Sequence, residues 1–415
     1  MPQPSNSASH QQFTRDTPEA KPEFRVLAFT DTHYMNFRAG HHPKYNPPAG
    51  TCDPYMLAFM RASIAHTKPH LVVFNGDVLS NDGRHGIVWS EAVGENGYSH
   101  GIEEVLEPVK EAGVPFVIVF GNHDMGDMLQ SLKEPGAPLE SRTKLMELYL
   151  QAGGPHIVNR AAMADGRQHT DASGGVTNLY CPIWSADGSK ICNNLYFFDN
   201  DINQYEGIET HQLDWYRTVS DQLKAQNGGA PVPSFVFQHV PFPEIFEYLR
   251  PARKKREPKT REFLGKDFWW KPPFPNFLHI HGVMMEIPCP GRTTGQLQAH
   301  LEQGDVRGIA FGHDHVNQFT VNAKGIKVEQ MGSAALAGGY GTYCTRGANL
   351  FTFAEDGSYK RRSYSYLQMK RRVPHSGITR LWRLFFYDLK RVPLFVWQNL
   401  WQALLTPARL LRKWK

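Results

Sequence analysis

The run Phe24-Arg-Val-Leu-Ala-Phe-Thr30 and the Asp31-Thr-His33 that follows it set the reading of the whole chain. A short, almost wholly apolar run is a buried strand by length and composition. An acid and an imidazole directly past its end place reactive groups where the strand leaves the core. The same device recurs in Leu71–Asn75 (LVVFN) followed by Gly76-Asp77, and in Pro115–Phe120 (PFVIVF) followed by Gly121-Asn122-His123-Asp124. Between these runs, residues 54–67 have helical spacing with Pro54 as a first-turn proline, and Ile102–Ala112 reads as a helix ending at Gly113. Strands alternating with helices predict a parallel sheet covered by helices. Functional residues in such sheets gather at the carboxyl edge of the strands.

The second half repeats the pattern. Asn194–Asp199 (NLYFFD), Ser234–Gln238 (SFVFQ) and Gly308–Phe311 (GIAF) read as short strands, with a helix over His211–Leu223. The last two strands deliver Gln238-His239 and Gly312-His313-Asp314-His315. Residues 243–300 form a long insertion rich in Pro, Lys, Arg and aromatics, with the basic run Arg253–Arg256. Loops of this length are functional lids or disordered excursions.

Taken singly, a histidine past a strand is usually structural and an aspartate there usually caps a turn. Five such blocks in succession supply the parts of a dinuclear metal centre. One carboxylate, Asp77, can bridge two ions, and Asp31, His33, Asn122, His239, His313 and His315 complete two sets of donors. Two divalent ions roughly 3.5–4 Å apart acidify a bridging water and clamp a phosphoryl group, which is what phosphate-ester hydrolysis at neutral pH requires.

The blocks D-x-H, G-D, G-N-H-D, H and G-H-x-H resemble the calcineurin-like metallophosphoesterase superfamily over roughly residues 23–365. The resemblance implies a four-layer α-β-β-α sandwich of two mixed sheets. It implies that Asp31, His33, Asp77 and His315 bind one ion, and that Asp77, Asn122, His239 and His313 bind the other. His123 would face the substrate and protonate the leaving oxygen, with Asp124 orienting it by accepting its other ring proton. A finer similarity, to the purple-acid-phosphatase-like branch of plants and fungi, rests on Asp31–Tyr34, on the His-Val-Pro-Phe-Pro-Glu stretch from His239, on Gly312–Asn317 and on Gly338–Thr342. Purple enzymes place an iron-binding tyrosine three residues after the bridging aspartate. Ser80 stands there, so Mn, Zn or Fe(II) is expected without a tyrosinate bond. The expected activity is hydrolysis of a phosphate monoester by a metal-bridging hydroxide. The alternatives are a phosphodiesterase or pyrophosphatase acting on cyclic nucleotides or lipids, and an inactive scaffold.

Hydrophobic residues make up 41% of the 415-residue chain, enough for a sizeable core. The net charge of +5 is concentrated at the C-terminus, where residues 376–415 hold eight Lys or Arg and one acid. The rest is slightly acidic, which excludes a basic nucleic-acid binder. Residues 1–22 are polar and lack an apolar signal-peptide core, so a disordered leader is expected. Cys52, Cys181, Cys192, Cys289 and Cys344 have no close pairing such as CxxC; a reducing, cytoplasmic setting follows, although Cys181 and Cys192 are spaced to bridge a hairpin. Residues 366–415 form a basic tail with Trp382, Trp397, Trp401 and Trp414. Its uncharged run Val392–Ala408 is short for a span. Such a segment lies in the interface of an anionic membrane or packs as helices on the body. Gly338–Gly341 as a phosphate approach, Asn81, Arg84 and His85 as rim residues, and Asp199 as a turn cap are weaker signals.

Overall fold

The computed structural model describes residues 7–34, 52–79, 95–124, 137–169, 175–199, 207–248, 260–263, 266–269, 280–283, 295–336, 346–369 and 372–373. Two sheets form its centre. The five-stranded sheet runs β16 (Tyr359–Ser365), β15 (Gly347–Ala354), β2 (Glu23–Phe29), β3 (Leu71–Asn75), β4 (Phe116–Val119). Strands β2, β3 and β4 are parallel; β15 pairs antiparallel with β2, and β16 pairs antiparallel with β15. The nine-stranded sheet runs β1 (Gln11–Gln12), β6 (Asn178–Trp184), β7 (Ile191–Phe198), β8 (Ser234–Gln238), β12 (Val306–Phe311), β14 (Ile326–Gln330), β13 (Gln318–Ala323), β11 (Ile280–Val283), with β5 (Gln168–His169) on β6. Its centre, β7-β8-β12-β14, is parallel.

Strand alternation produces the layers. In β2 and β3, Phe24, Val26, Ala28, Leu71 and Val73 face the other sheet and pack with Leu195, Phe197, Phe235, Phe237 and Phe351. Leu27, Phe29, Val72 and Phe74 face outward against the helices Cys52–Thr67, Glu95–Glu111 and Ala137–Gly153. Tyr196, Phe198, Val236, Ile309 and Phe311 pack in the same way against Thr210–Gln226 and Gln296–Gln303. Both faces of the central strands are dry, which is why they read as continuous apolar runs rather than as alternation. The result is the four-layer α-β-β-α sandwich.

Two arginines tie the layers. Arg361 on β16 reaches Glu329 Oε2 at 3.0 Å and the Gln330 carbonyl at 2.7 Å, both on β14 of the other sheet. Arg142, on the helix Ala137–Gly153, pairs with Asp199 just past β7. Asp199 also accepts from the Val176 amide at 3.1 Å, so it anchors an interlayer ion pair and not merely a turn.

Several expectations are corrected. The leader is not wholly disordered, because Gln11 and Gln12 form β1 on β6 and Phe13, 2% exposed, enters the core between the sheets. One aromatic among polar residues leaves little compositional trace but fills an edge cavity. Cys181 and Cys192 are free; Cys181 stands opposite Leu195 across the hairpin, out of register with Cys192. The 243–300 insertion is partly structured, with a helix Ile245–Tyr248, a β9–β10 hairpin (Thr260–Phe263, Lys266–Trp269), and β11 pairing with β13 at the sheet's edge. The helix expected from Ile102 begins at Glu95. Ser80, Asn81, Arg84, His85, Arg253–Arg256, Gly338–Gly341 and the 376–415 tail lie outside the described residues. Among the described residues no helix is long and apolar enough to cross a membrane.

Candidate metal centre

Strands β2, β3 and β4 of one sheet and β8 and β12 of the other end at a common edge, and the residues that follow them converge. Asp31, His33, Asp77 and His315 form one group whose ligand atoms all lie within 4.8 Å of one another; Asp77, His239 and His313 form a second. Asp77 belongs to both. His315 Nε2 is 3.1 Å from Asp31 Oδ1, and His33 Nε2 lies 2.9 Å from His315 Nε2. In the second group His239 Nε2 is 3.1 Å from Asp77 Oδ2, and His313 Nδ1 is 2.8 Å from Asn122 Oδ1. All seven residues singled out as ligands are brought to this edge.

The donors are held by their surroundings. Asp77 Oδ1 accepts the His123 amide at 2.7 Å, which leaves Oδ2 turned toward the histidines. Thr30 Oγ1 donates to Asp31 Oδ2 at 2.6 Å, fixing that carboxylate; no sequence motif pointed to Thr30. Asp31, His33, Asp77 and His313 take up positive φ of 51°, 43°, 51° and 68°. Non-glycine residues persist in that region only where the surroundings enforce it, commonly at functional sites. The motif glycines make room: a Cβ at Gly121 would fall 2.3 Å from Asp77 Oδ1, and one at Gly312 would fall 1.9 Å from Thr30 Oγ1 and 2.8 Å from Asp31 Oδ2.

The electrostatics fit a cation. Burial alone would raise Asp31, but His239 and His315 outweigh it and hold its carboxyl down to about 2. Burial likewise opposes ionisation of Asp77, yet His239 and His123 bring it well below the usual carboxylate range. Burial disfavours a charged His239, but Asp77 and Asp31 push it up to about 10. Burial, then the neighbouring His315, lowers His33 to about 3, and burial, then His239, lowers His313 to about 3. One proton therefore sits between two carboxylates while His33 and His313 stay neutral, as ligands must be. Asp77 Oδ2 and His239 Nε2 face each other, buried, with only their mutual 3.1 Å contact between them. An ion between them would satisfy both.

His123 stands at the rim, its ring centroid 5.1 Å from that of His33. The expected partnership with Asp124 is corrected. Asp124 Oδ1 accepts the Val78 and Leu79 amides at 2.7 and 3.0 Å, and Oδ2 accepts the Gly121 amide at 2.8 Å. The carboxylate thus ties the turn after β4 to the turn after β3. Burial, then the charge of Asp77, raises its pKa to about 7 against these bonds. Tyr34, at the end of the first block, donates its hydroxyl to Glu104 on the helix Glu95–Glu111.

This edge, with two groups of donors sharing one buried aspartate, defines a metal-dependent phosphoric ester hydrolase. The chain belongs to the calcineurin-like phosphoesterase family, whose model matches residues 24–317. It is 25% identical over 335 residues to the probable inactive purple acid phosphatase 14 of Arabidopsis thaliana, covering 76% of this chain and 71% of that protein. It is 24% identical over 319 residues to Phosphatase DCR2 of Saccharomyces cerevisiae, covering 74% of this chain and 46% of that protein. Among solved structures, a dimetal phosphatase from Danio rerio matches with a TM-score of 0.41 at 12% identity, covering 82% of this chain and 99% of that one.

Proposed function

We propose that the protein hydrolyses a phosphate monoester at a dinuclear centre. In this reading one ion is held by Asp31, His33, Asp77 and His315, and the other by Asp77, Asn122, His239 and His313. The observation that carries it is the sharing of the buried Asp77 by two donor groups. When bound, two divalent ions would acidify a shared water and clamp the phosphoryl oxygens. The chain's own residues do the rest. Asp77 spans both groups, His239 would lose its proton to water where a cation is held, and His123 protonates the leaving oxygen from the rim. Asp124 holds the turn that presents His123. Mn, Zn or Fe suits the mixed carboxylate–imidazole set.

The name of the Arabidopsis relative includes the word inactive. A scaffold would be expected to lose ligands, whereas every donor type needed is present here. A diester or pyrophosphate substrate on a lipid is the second reading, favoured by the basic, tryptophan-rich residues 376–415, which we infer to bring a cytoplasmic enzyme to an anionic membrane surface.

The test is turnover of an aryl phosphate beside a bis-aryl phosphate, with metal analysis of the same sample. Faster turnover of the monoester with two ions per chain is expected, and a faster diester would select the second reading. Asp77→Asn should lose metal from both groups and abolish turnover; retention of two ions and normal rate would remove Asp77 from its bridging role.

A further inference from the structure

We propose that Asn75 is a positioning residue that grips the end of β8 from across the sandwich and sets His239 at its working distance from Asp77. The proposal rests on the reading of Asp77 and His239 as ligands of one ion.

Asn75 is the last residue of β3 and is fully buried. An apolar side chain would continue the run LVVFN, and burying a carboxamide is costly unless it is hydrogen-bonded. Its Nδ2 donates to the backbone carbonyl of Gln238 at 2.8 Å. Its own backbone carbonyl accepts from the His239 ring at Nδ1, 2.9 Å away. Gln238 and His239 belong to the end of β8, in the other sheet, and β3 and β8 share no strand pairing. One residue therefore makes a two-point contact between sheets, on consecutive residues of the strand that delivers a ligand.

The contact has chemical content. A carbonyl only accepts, so Nδ1 must carry the proton, which leaves Nε2 as the nitrogen for the ion. That nitrogen lies 3.1 Å from Asp77 Oδ2. The next residue, Gly76, lacks the Cβ that would fall 2.2 Å from His239 Nδ1. In Asn75-Gly76-Asp77 the first residue grips the histidine, the second makes room for it, and the third shares its ion. Asn75 Oδ1 makes no hydrogen bond among the described residues, so the carboxamide is kept for its donor.

The test compares full-length wild type with Asn75→Ala and Asn75→Asp, the latter keeping shape while removing the donor. Metal-free protein is titrated with Mn²⁺, and separately with Zn²⁺, by calorimetry, and its melting is followed without metal. Wild type should take up two ions. In both variants the ion held by Asp77, His239 and His313 should bind about 10–100-fold more weakly, the usual scale for a lost outer partner, while the other ion and the metal-free melting temperature change little. Wild-type affinity for both ions in a folded variant would overturn the positioning role and leave the metal centre standing. Equal weakening of both ions with lowered metal-free melting would reduce Asn75 to a structural residue and overturn it too. No ion uptake by wild type would overturn the metal-centre reading first. If Asn75→Ala does not fold, Asn75→Ser decides by the same comparison.

Discussion

His123 carries the sharpest consequence at the scale of the residue. Its amide helps to fix Asp77 while its ring stands beside His33, so backbone and side chain serve different ends. His123→Ala keeps the amide and removes the ring. It should retain both ions and lower kcat by roughly 10²–10⁴-fold, the range for a lost general acid. A substrate with a low-pKa leaving group should recover part of the rate; loss of metal in step with loss of rate would make His123 a ligand. A second consequence concerns His300, away from the metal edge. Burial, then Arg217, lowers its pKa from 6.5 to about 3. The unfolded chain therefore takes up a proton below about 6.5 that the folded chain refuses until about 3, so stability falls as pH falls through that window, by up to about 1.4 kcal/mol per unit. Denaturant unfolding between pH 7.5 and 4.5 should show a slope of this sign, and His300→Gln should reduce it. An unchanged slope in the variant would refute the assignment.

Among the elements, the N-terminal segment and the central strands show how differently composition and position inform. Strands β2, β3, β4, β8 and β12 were legible because both faces are buried, giving apolar runs that stop sharply where the ligands begin. Strand β1 was not, because two glutamines carry no apolar signal; their burial comes from hydrogen bonds to β6, and from Gln12 Nε2 to the Ser185 carbonyl at 3.0 Å. Phe13 then seals the edge of the core between the sheets, its ring 6.2 Å from that of Phe24. Phe13→Ala should cost about 3–5 kcal/mol, as truncation of a buried aromatic does. Denaturant unfolding measures this directly, and a loss under 1 kcal/mol would return the segment to a loosely attached leader.

On the scale of the whole molecule, catalytic edge and tail are separate parts of the chain, since every candidate ligand lies before residue 316 and the basic segment begins at 376. Removing residues 376–415 should spare turnover of a small soluble ester and abolish flotation with anionic liposomes. Each Lys or Arg near an anionic surface contributes about 1 kcal/mol, so on the proposed reading the eight in this segment would suffice for attachment that added salt reverses. Equal flotation of full-length and shortened protein would rule out the membrane role. An insoluble shortened protein would instead indicate packing on the body.

The sequence by itself determined which side chains leave the core and at which strand ends, because burial periodicity and side-chain chemistry are local properties. Asp31, Asp77, Asn122, His239 and His313 could be singled out from the runs preceding them. Only the tertiary structure decided which of them meet. His33 and His315, 282 residues apart in sequence, face each other at 2.9 Å because two sheets stack with their carboxyl edges aligned. Asp124 is turned to backbone amides of the neighbouring turn rather than to His123, and Asn75 is turned from the end of one strand into a grip on another across the gap between sheets: in both, partners are assigned by how strand ends meet in space, which no local pattern encodes.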